Sequence, residues 1–311
     1  MRMHHVKYKS AFTMLELIFV IIVLGIVASI GSQIIVQVYE SYIVQRALHR
    51  TSIKTELAAT QLANRLAYSI PNIVIGRKVD NTFRAIDDIP IGTTDYLTLE
   101  WIGYDADSFG AVTASTNAGK RPVWSGYCDV NASTIDQIKT PGSRLSELGT
   151  TGIISNLSPG TTDIANAAIL FPGATAYTVG FNSNIDNIHP VSGQSADDTL
   201  DLDAKASRNI KEHYKLSWTA YAVVPVPVTG TNLTGRGFKS TDTIWDLTLR
   251  YDYQPWDGNT FANGQSVILI RNVSVFKFTG SGNTIRFKIC QREYIGEEYS
   301  INTCKEKAVI R

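Results

Sequence analysis

The sequence predicts an α+β protein in which one long N-terminal helix packs on an antiparallel β-sheet domain with long loops. Three observations carry this. From Leu17 through Tyr39 there are 23 consecutive residues without a charge, more than the roughly 18 that mark a membrane-spanning helix. Residues 39–70 contain no Gly or Pro, and Thr55, Ala59, Leu62, Leu66 and Ile70 recur at spacings of three and four, which places them on one helical face. Beyond Pro71 the apolar period becomes two, as in Leu97, Leu99 and Trp101, the mark of half-buried strands. The chain thus divides into a transmembrane helix over 12–38, its amphipathic continuation over 39–70 and a β-rich globular domain over 71–311. A continuous helix from Phe12 to Ile70 would be about 88 Å long at 1.5 Å per residue.

The amino terminus sets the orientation. Arg2, Lys7 and Lys9 precede the apolar run with no acid among them, and the first charge beyond the run is Glu40. By the positive-inside rule the amino terminus stays cytoplasmic and the bulk of the chain is exported. An ordinary secretory signal would be cut after its apolar stretch. Here the small pair Ser10-Ala11 comes before it. Between Phe12 and Val38 the sole ionisable side chain is Glu16. A carboxylate at membrane depth costs about 2.5–3.5 kcal/mol at a helix centre, so it calls for a partner or for the headgroup region.

In this order, Lys9-Ser10-Ala11 followed by Phe12-Thr13-Met14-Leu15-Glu16-Leu17 resembles the class III leader of type IV pilins and type II secretion pseudopilins. The resemblance covers about a tenth of the chain. It implies that 1–11 is a cytoplasmic leader peptide, cut between Ala11 and Phe12 by a prepilin peptidase that also methylates the new Phe12 terminus. It further implies that Glu16 is the assembly glutamate, paired with the free amine of a neighbouring subunit. Two residues depart from the family pattern: Ala11 stands where Gly is usual, and Gln33 where many major pilins carry a helix-kinking Pro. The second departure favours a minor pilin or pseudopilin. The partners implied are other pilin or pseudopilin subunits, the peptidase, an inner-membrane assembly platform and membrane lipid. The soluble domain would face the periplasm and later stand on a filament.

Further along the chain, alternation predicts strands at Tyr96–Trp101, Tyr214–Ala222 and Trp245–Tyr253, with Tyr96, Thr98 and Glu100 on the polar face of the first. Val267–Phe278 and Thr284–Cys290 flank Thr279-Gly280-Ser281-Gly282-Asn283, a hairpin signal. Residues 103–122 and 182–210 are rich in Asp, Asn, Ser, Gly and Ala without sustained periodicity and read as long surface loops. Pro225-Val226-Pro227 would break a strand or hold it at an edge.

The chemistry is sparse. The five histidines lack metal-ligand spacing, and no HExxH, GxSxG or GxxxxGK[ST] motif is present, so neither an enzyme nor a cofactor is expected. Formal charge is +1, falling to −2 once the three basic leader residues are gone. Such a near-neutral surface predicts no specific nucleic-acid partner, although Lys305, Lys307 and Arg311 form a local basic stretch. Asp197, Asp198, Asp201 and Asp203 form an acidic loop that offers oxygens to Ca²⁺, as do Asp105 and Asp107, but neither stretch has EF-hand spacing, so a solvated loop is the better reading. Trp101, Tyr104, Trp124, Tyr127, Trp218, Trp245 and Trp256 support as an alternative a filament-borne adhesin or uptake receptor that binds its ligand through the soluble domain. Core packing is the commoner fate of such residues. Cys128, Cys290 and Cys304 permit three pairings. Joining Cys290 to Cys304 would close a loop of about 15 residues, contributing roughly 3 kcal/mol in the chain-entropy model. The resemblance favours that pair, because many pilins carry a disulfide near the carboxyl terminus.

Overall fold

The computed structural model describes residues 13–90, 92–115, 119–146, 149–159, 162–171, 181, 188–295 and 299–310. Contacts divide the chain between Arg50 and Thr51. Helix α1 runs over Met14–Ala67 and contributes to both units. In the first unit its side chains are almost all exposed, and no residue of its most apolar eighteen-residue window is buried. This helix is long and apolar enough to cross a membrane.

In the second unit the same helix turns amphipathic. Its buried residues are Thr51, Thr55, Ala58, Ala59, Leu62 and Leu66, the three-and-four spacing expected from the sequence. Thr55 resolves its buried hydroxyl by donating to the Thr51 carbonyl at 2.8 Å, the back-bonding open to Ser and Thr inside helices. The helix ends at Ala67 rather than Ile70. Ser69 already opens strand β1 (Ser69–Lys78), and Pro71 falls within a register irregularity between Ser69 and Val74, where the ladder does not need its missing N–H.

An eight-stranded antiparallel sheet, curled into a half-barrel, receives this face. Besides β1 it contains β2 (Phe83–Ala85), β3 (Tyr96–Gly103), β11 (Thr219–Pro227), β12 (Trp245–Tyr251), β13 (Gln265–Ser281), β14 (Thr284–Ile295) and β15 (Tyr299–Ile310). Its order is β15-β14-β13-β12-β11-β3-β1-β2. Leu62 and Leu66 pack with Leu99, Trp101, Val223, Leu247, Ile270 and Phe287 on the helix side. Ile75, Ile102, Ala220 and Ala222 point the other way into a second core shared with Ala168, Leu170 and Ile188. Both faces of the central strands are therefore buried, which corrects the expectation of a polar face at Tyr96, Thr98 and Glu100: Glu100 is fully buried.

The second layer is a five-stranded sheet, β10-β7-β8-β9-β6, made of β6 (Gln137–Lys139), β7 (Ala168–Leu170), β8 (Ile188–Ala196), β9 (Thr199–Leu202) and β10 (Lys215–Ser217). It has its own core around Trp124, Ile138, Ile154, Ile169, Leu200 and Leu216. Two sequence expectations are corrected by it. The supposed loop over 182–210 contains β8 and β9, its residues 182–187 lying outside the described residues. The single strand expected over Tyr214–Ala222 is two strands in different sheets, β10 and β11. Likewise 103–122 holds helix α2 (Ala106–Gly110) and a hairpin of β4 (Val112–Ser115) with β5 (Gly119–Pro122).

Pro225 and Pro227 do sit in a strand, and the pairing explains how. β11 pairs with β3 only from Thr219 to Val223. Its last residues pair with β12 alone, through Pro225↔Leu247 and Pro227↔Trp245. Along that stretch, among the described residues, no strand pairs with the other side of β11, so proline is tolerated inside the sheet order.

Candidate functional site

The expected site residues fall at three separate places. Ala11 and Phe12, the expected leader junction, lie outside the described residues. Glu16 stands in the first turn of α1. Its Oε2 accepts the Thr13 backbone N–H at 3.3 Å and lies 3.4 Å from the Thr13 hydroxyl, which in turn accepts the Glu16 N–H at 3.4 Å. This is a reciprocal capping box, which satisfies donors that a helix start leaves without partners. A negative charge there also complements the helix dipole. The carboxylate thus has an intrachain role that the sequence reading did not include, although the spacing Thr13-x-x-Glu16 carries its signal.

At the other end of the chain, Cys290 and Cys304 are joined, with Cα atoms 4.0 Å apart. They stand directly opposite one another in the β14–β15 ladder, so the bond ties the last strand to the sheet. The expected pairing is present. Cys128 is a buried free thiol whose pKa is raised by that burial.

Between these, the acidic stretch is dispersed rather than gathered. Asp197 accepts the Ser146 N–H at 3.2 Å, and Asp198 pairs with Lys139 at 3.2 Å. Asp201 accepts from Gln137 and Ser195, each at 2.9 Å. Asp203 offers its backbone carbonyl to Arg208. Among the described residues, no three His, Cys, Asp or Glu side chains converge on a metal-sized space. Asp105 is a buried cap of α2, accepting the Ser108 N–H at 3.1 Å. Its other oxygen is buried without a partner, and burial pushes its pKa up to about 6. His189, against Phe171, is held neutral because burial lowers its pKa to about 4, with Arg208 and Lys205 adding to the effect.

The aromatic residues are mainly structural. Trp101, Trp124, Trp218 and Trp256 are buried, which removes most of the exposed aromatic surface on which a ligand-binding reading would rest. Cavities in the second unit include the following two. One, of about 630 Å³, is bounded by residues that include Ile89, Tyr96, Leu97, Trp245 and Phe278. The other, of about 590 Å³, lies beside Arg65, Tyr104, Asp105 and Tyr221, where the Arg65 guanidinium sits 5.2 Å from the Tyr221 ring centre.

Two polar constellations were not singled out from the sequence. Glu56 on α1 pairs with Lys305 at 3.5 Å and also with Lys307, both on β15. The signal was available, since Glu56 is the sole acid between Glu40 and Asp80. Glu100 pairs with Arg77 at 2.7 Å and accepts from the Tyr253 hydroxyl at 2.9 Å. Burial raises the Glu100 pKa while Arg77 opposes the rise.

No family model, curated protein or solved structure matches the chain. A long apolar N-terminal helix followed by a β-sheet domain is compatible with a pilin-like architecture.

Proposed function

We propose that this protein is a minor pilin or pseudopilin: a membrane-anchored subunit that enters a type IV pilus or type II secretion pseudopilus by helix packing. The observation that carries this reading is the division of labour along α1. One continuous helix has six buried residues between Thr51 and Leu66, while its apolar window has none. A bare apolar helix needs lipid or other helices around it, which a membrane and then a bundle of such stalks would supply in turn. The basic residues Arg2, Lys7 and Lys9 support an amino terminus in the cytoplasm and a periplasmic β-domain. Ser10-Ala11-Phe12-Thr13 and Glu16 supply the processing and assembly signals, and no catalytic role is assigned.

Intact-mass analysis of membrane-extracted protein tests the reading. The expected mass lacks residues 1–11, gains one methyl group and is short of two hydrogens for the disulfide. A chain that keeps its first eleven residues would instead be an ordinary single-pass membrane protein.

A further inference from the structure

The eight-stranded sheet ends on two unlike strands. At one margin β2 has three residues, a short edge of the kind that resists unwanted pairing. At the other, β15 has twelve, about twice the usual strand length and roughly 40 Å of extended chain. It pairs with β14 in unbroken register from Thr284↔Ile310 to Ile295↔Tyr299. Beyond β14 its side chains reach Thr51, Ser274 and Glu56, and among the described residues no strand covers its outer side. The strand contains no proline and its ladder no bulge, two of the devices that blunt such edges. Its lysines, a third device that deters indiscriminate pairing, share the single carboxylate of Glu56 and so keep net positive charge at the edge. The Cys290–Cys304 bond holds the whole edge in place, so little order has to be gained when something pairs with it.

We propose that the open edge of β15 receives an extended strand from a partner polypeptide carrying acidic residues at alternate positions. The backbone decides the occupant's form, because a row of N–H and C=O groups repeating every second residue is matched by another extended strand. Charge decides its sequence. Lys305 and Lys307 lie on one face of β15, each side chain about one third exposed, with the single carboxylate of Glu56 between them. An acidic residue opposite either lysine adds a favourable cross-strand pair. A second copy of β15 fits less well. Two such strands joined antiparallel about a two-fold axis keep their faces aligned, so Lys305 and Lys307 would meet only Tyr299, Ile301, Thr303, Val309 or each other. Glu306, on the opposite face, is never placed against them.

This inference does not depend on the filament reading and is tested separately. The full-length protein in nanodiscs is titrated with fluorescein-labelled ten-residue peptides of alternating Thr and Glu, alternating Thr and Lys, and the Thr-Glu peptide N-methylated at every second amide. The expected result is that the Thr-Glu peptide binds at least tenfold more tightly than either other peptide and slows hydrogen exchange within 299–310. Reversing both lysines (Lys305→Glu with Lys307→Glu) should transfer the preference to the Thr-Lys peptide. Binding that survives N-methylation, protection confined to other segments, or no binding up to millimolar peptide overturns the proposal. Concentration-dependent protection of 299–310 without any peptide would assign the edge to a second copy and overturn it as well.

Discussion

At the scale of single residues, two carboxylates show how position changes what a charge does. Glu16 is bound by its own Thr13, so a loss of function on its removal has two physical origins, a frayed helix start and a missing charge. Gln separates them, because its amide oxygen accepts the Thr13 N–H as the carboxylate does. We expect Glu16→Gln to insert into membranes normally yet fail to enter sheared filaments; normal filament content would reduce Glu16 to a helix cap. Asp105 is the opposite case, 3% exposed with its pKa raised from 3.8 to about 6. Well below pH 3.8 it is protonated in both the folded and unfolded states. Between pH 4 and 6 the unfolded chain ionises first, so the stability this site allows falls with rising pH, by on the order of 3 kcal/mol in full. Asp105→Asn keeps the Ser108 cap and removes the titration. Allowing for the amide that replaces the unpartnered oxygen, urea midpoints should rise at pH 7.5 by the equivalent of about 1–2 kcal/mol. The wild-type loss between pH 4.5 and 7.5 should shrink with it.

At the scale of elements, the disulfide and the edge strand belong together. Cys290 and Cys304 are separated by 14 residues, for which loop closure contributes about 3 kcal/mol. Changing both to Ser is expected to lower the unfolding free energy by roughly that amount and to speed hydrogen exchange in β15 before any other strand, while Cys128 stays inert to thiol reagents until the core opens. Equal exchange in β15 with and without the bond would deny it this role. The pair is legible through the family resemblance, since the residues alone permit three pairings, and the alternating strands around Leu99, Leu247 and Phe287 are legible because one face meets α1. The second layer is not. β7 reads Ala168-Ile169-Leu170, buried on both faces between two cores, so it carries no period of two. β8 includes Pro190, Gly193 and exposed Ser195, a composition shared with loops. Alternation alone puts Glu100 on a polar face, because it shows which residues share a face and not whether a second sheet covers it.

At the scale of the whole molecule, the division between Arg50 and Thr51 falls inside α1, where neither composition nor a breaker residue marks it. The apolar run ends near Tyr39 and the next proline is Pro71, so the sequence suggests cutting at either point, and each misplaces the boundary of the β-domain. Ala58, Ala59, Leu62 and Leu66 are at most 1% exposed and form part of the core beneath the curled sheet. Each buried leucine contributes about 1.5–3 kcal/mol, and a domain of ordinary stability has only about 5–15 kcal/mol in total. Two leucines alone, at about 3–6 kcal/mol, are therefore a large share of that margin. A chain shortened to begin at Thr51 is expected to be soluble without detergent, with a cooperative urea transition and the near-ultraviolet circular dichroism of the full protein. One beginning at Ser69, which keeps every strand, is expected to lose the cooperative transition and bind a hydrophobic dye. If the Ser69 chain folded cooperatively, the helix would be an anchor laid against a self-sufficient β-domain rather than part of its core. The cut at Thr51 also discriminates in the other direction, since aggregation of that chain would mean that residues before Arg50 stabilise the domain. The two shortened chains measured together thus place the functional boundary within a single turn-by-turn helix, at the point where its side chains change from exposed to buried.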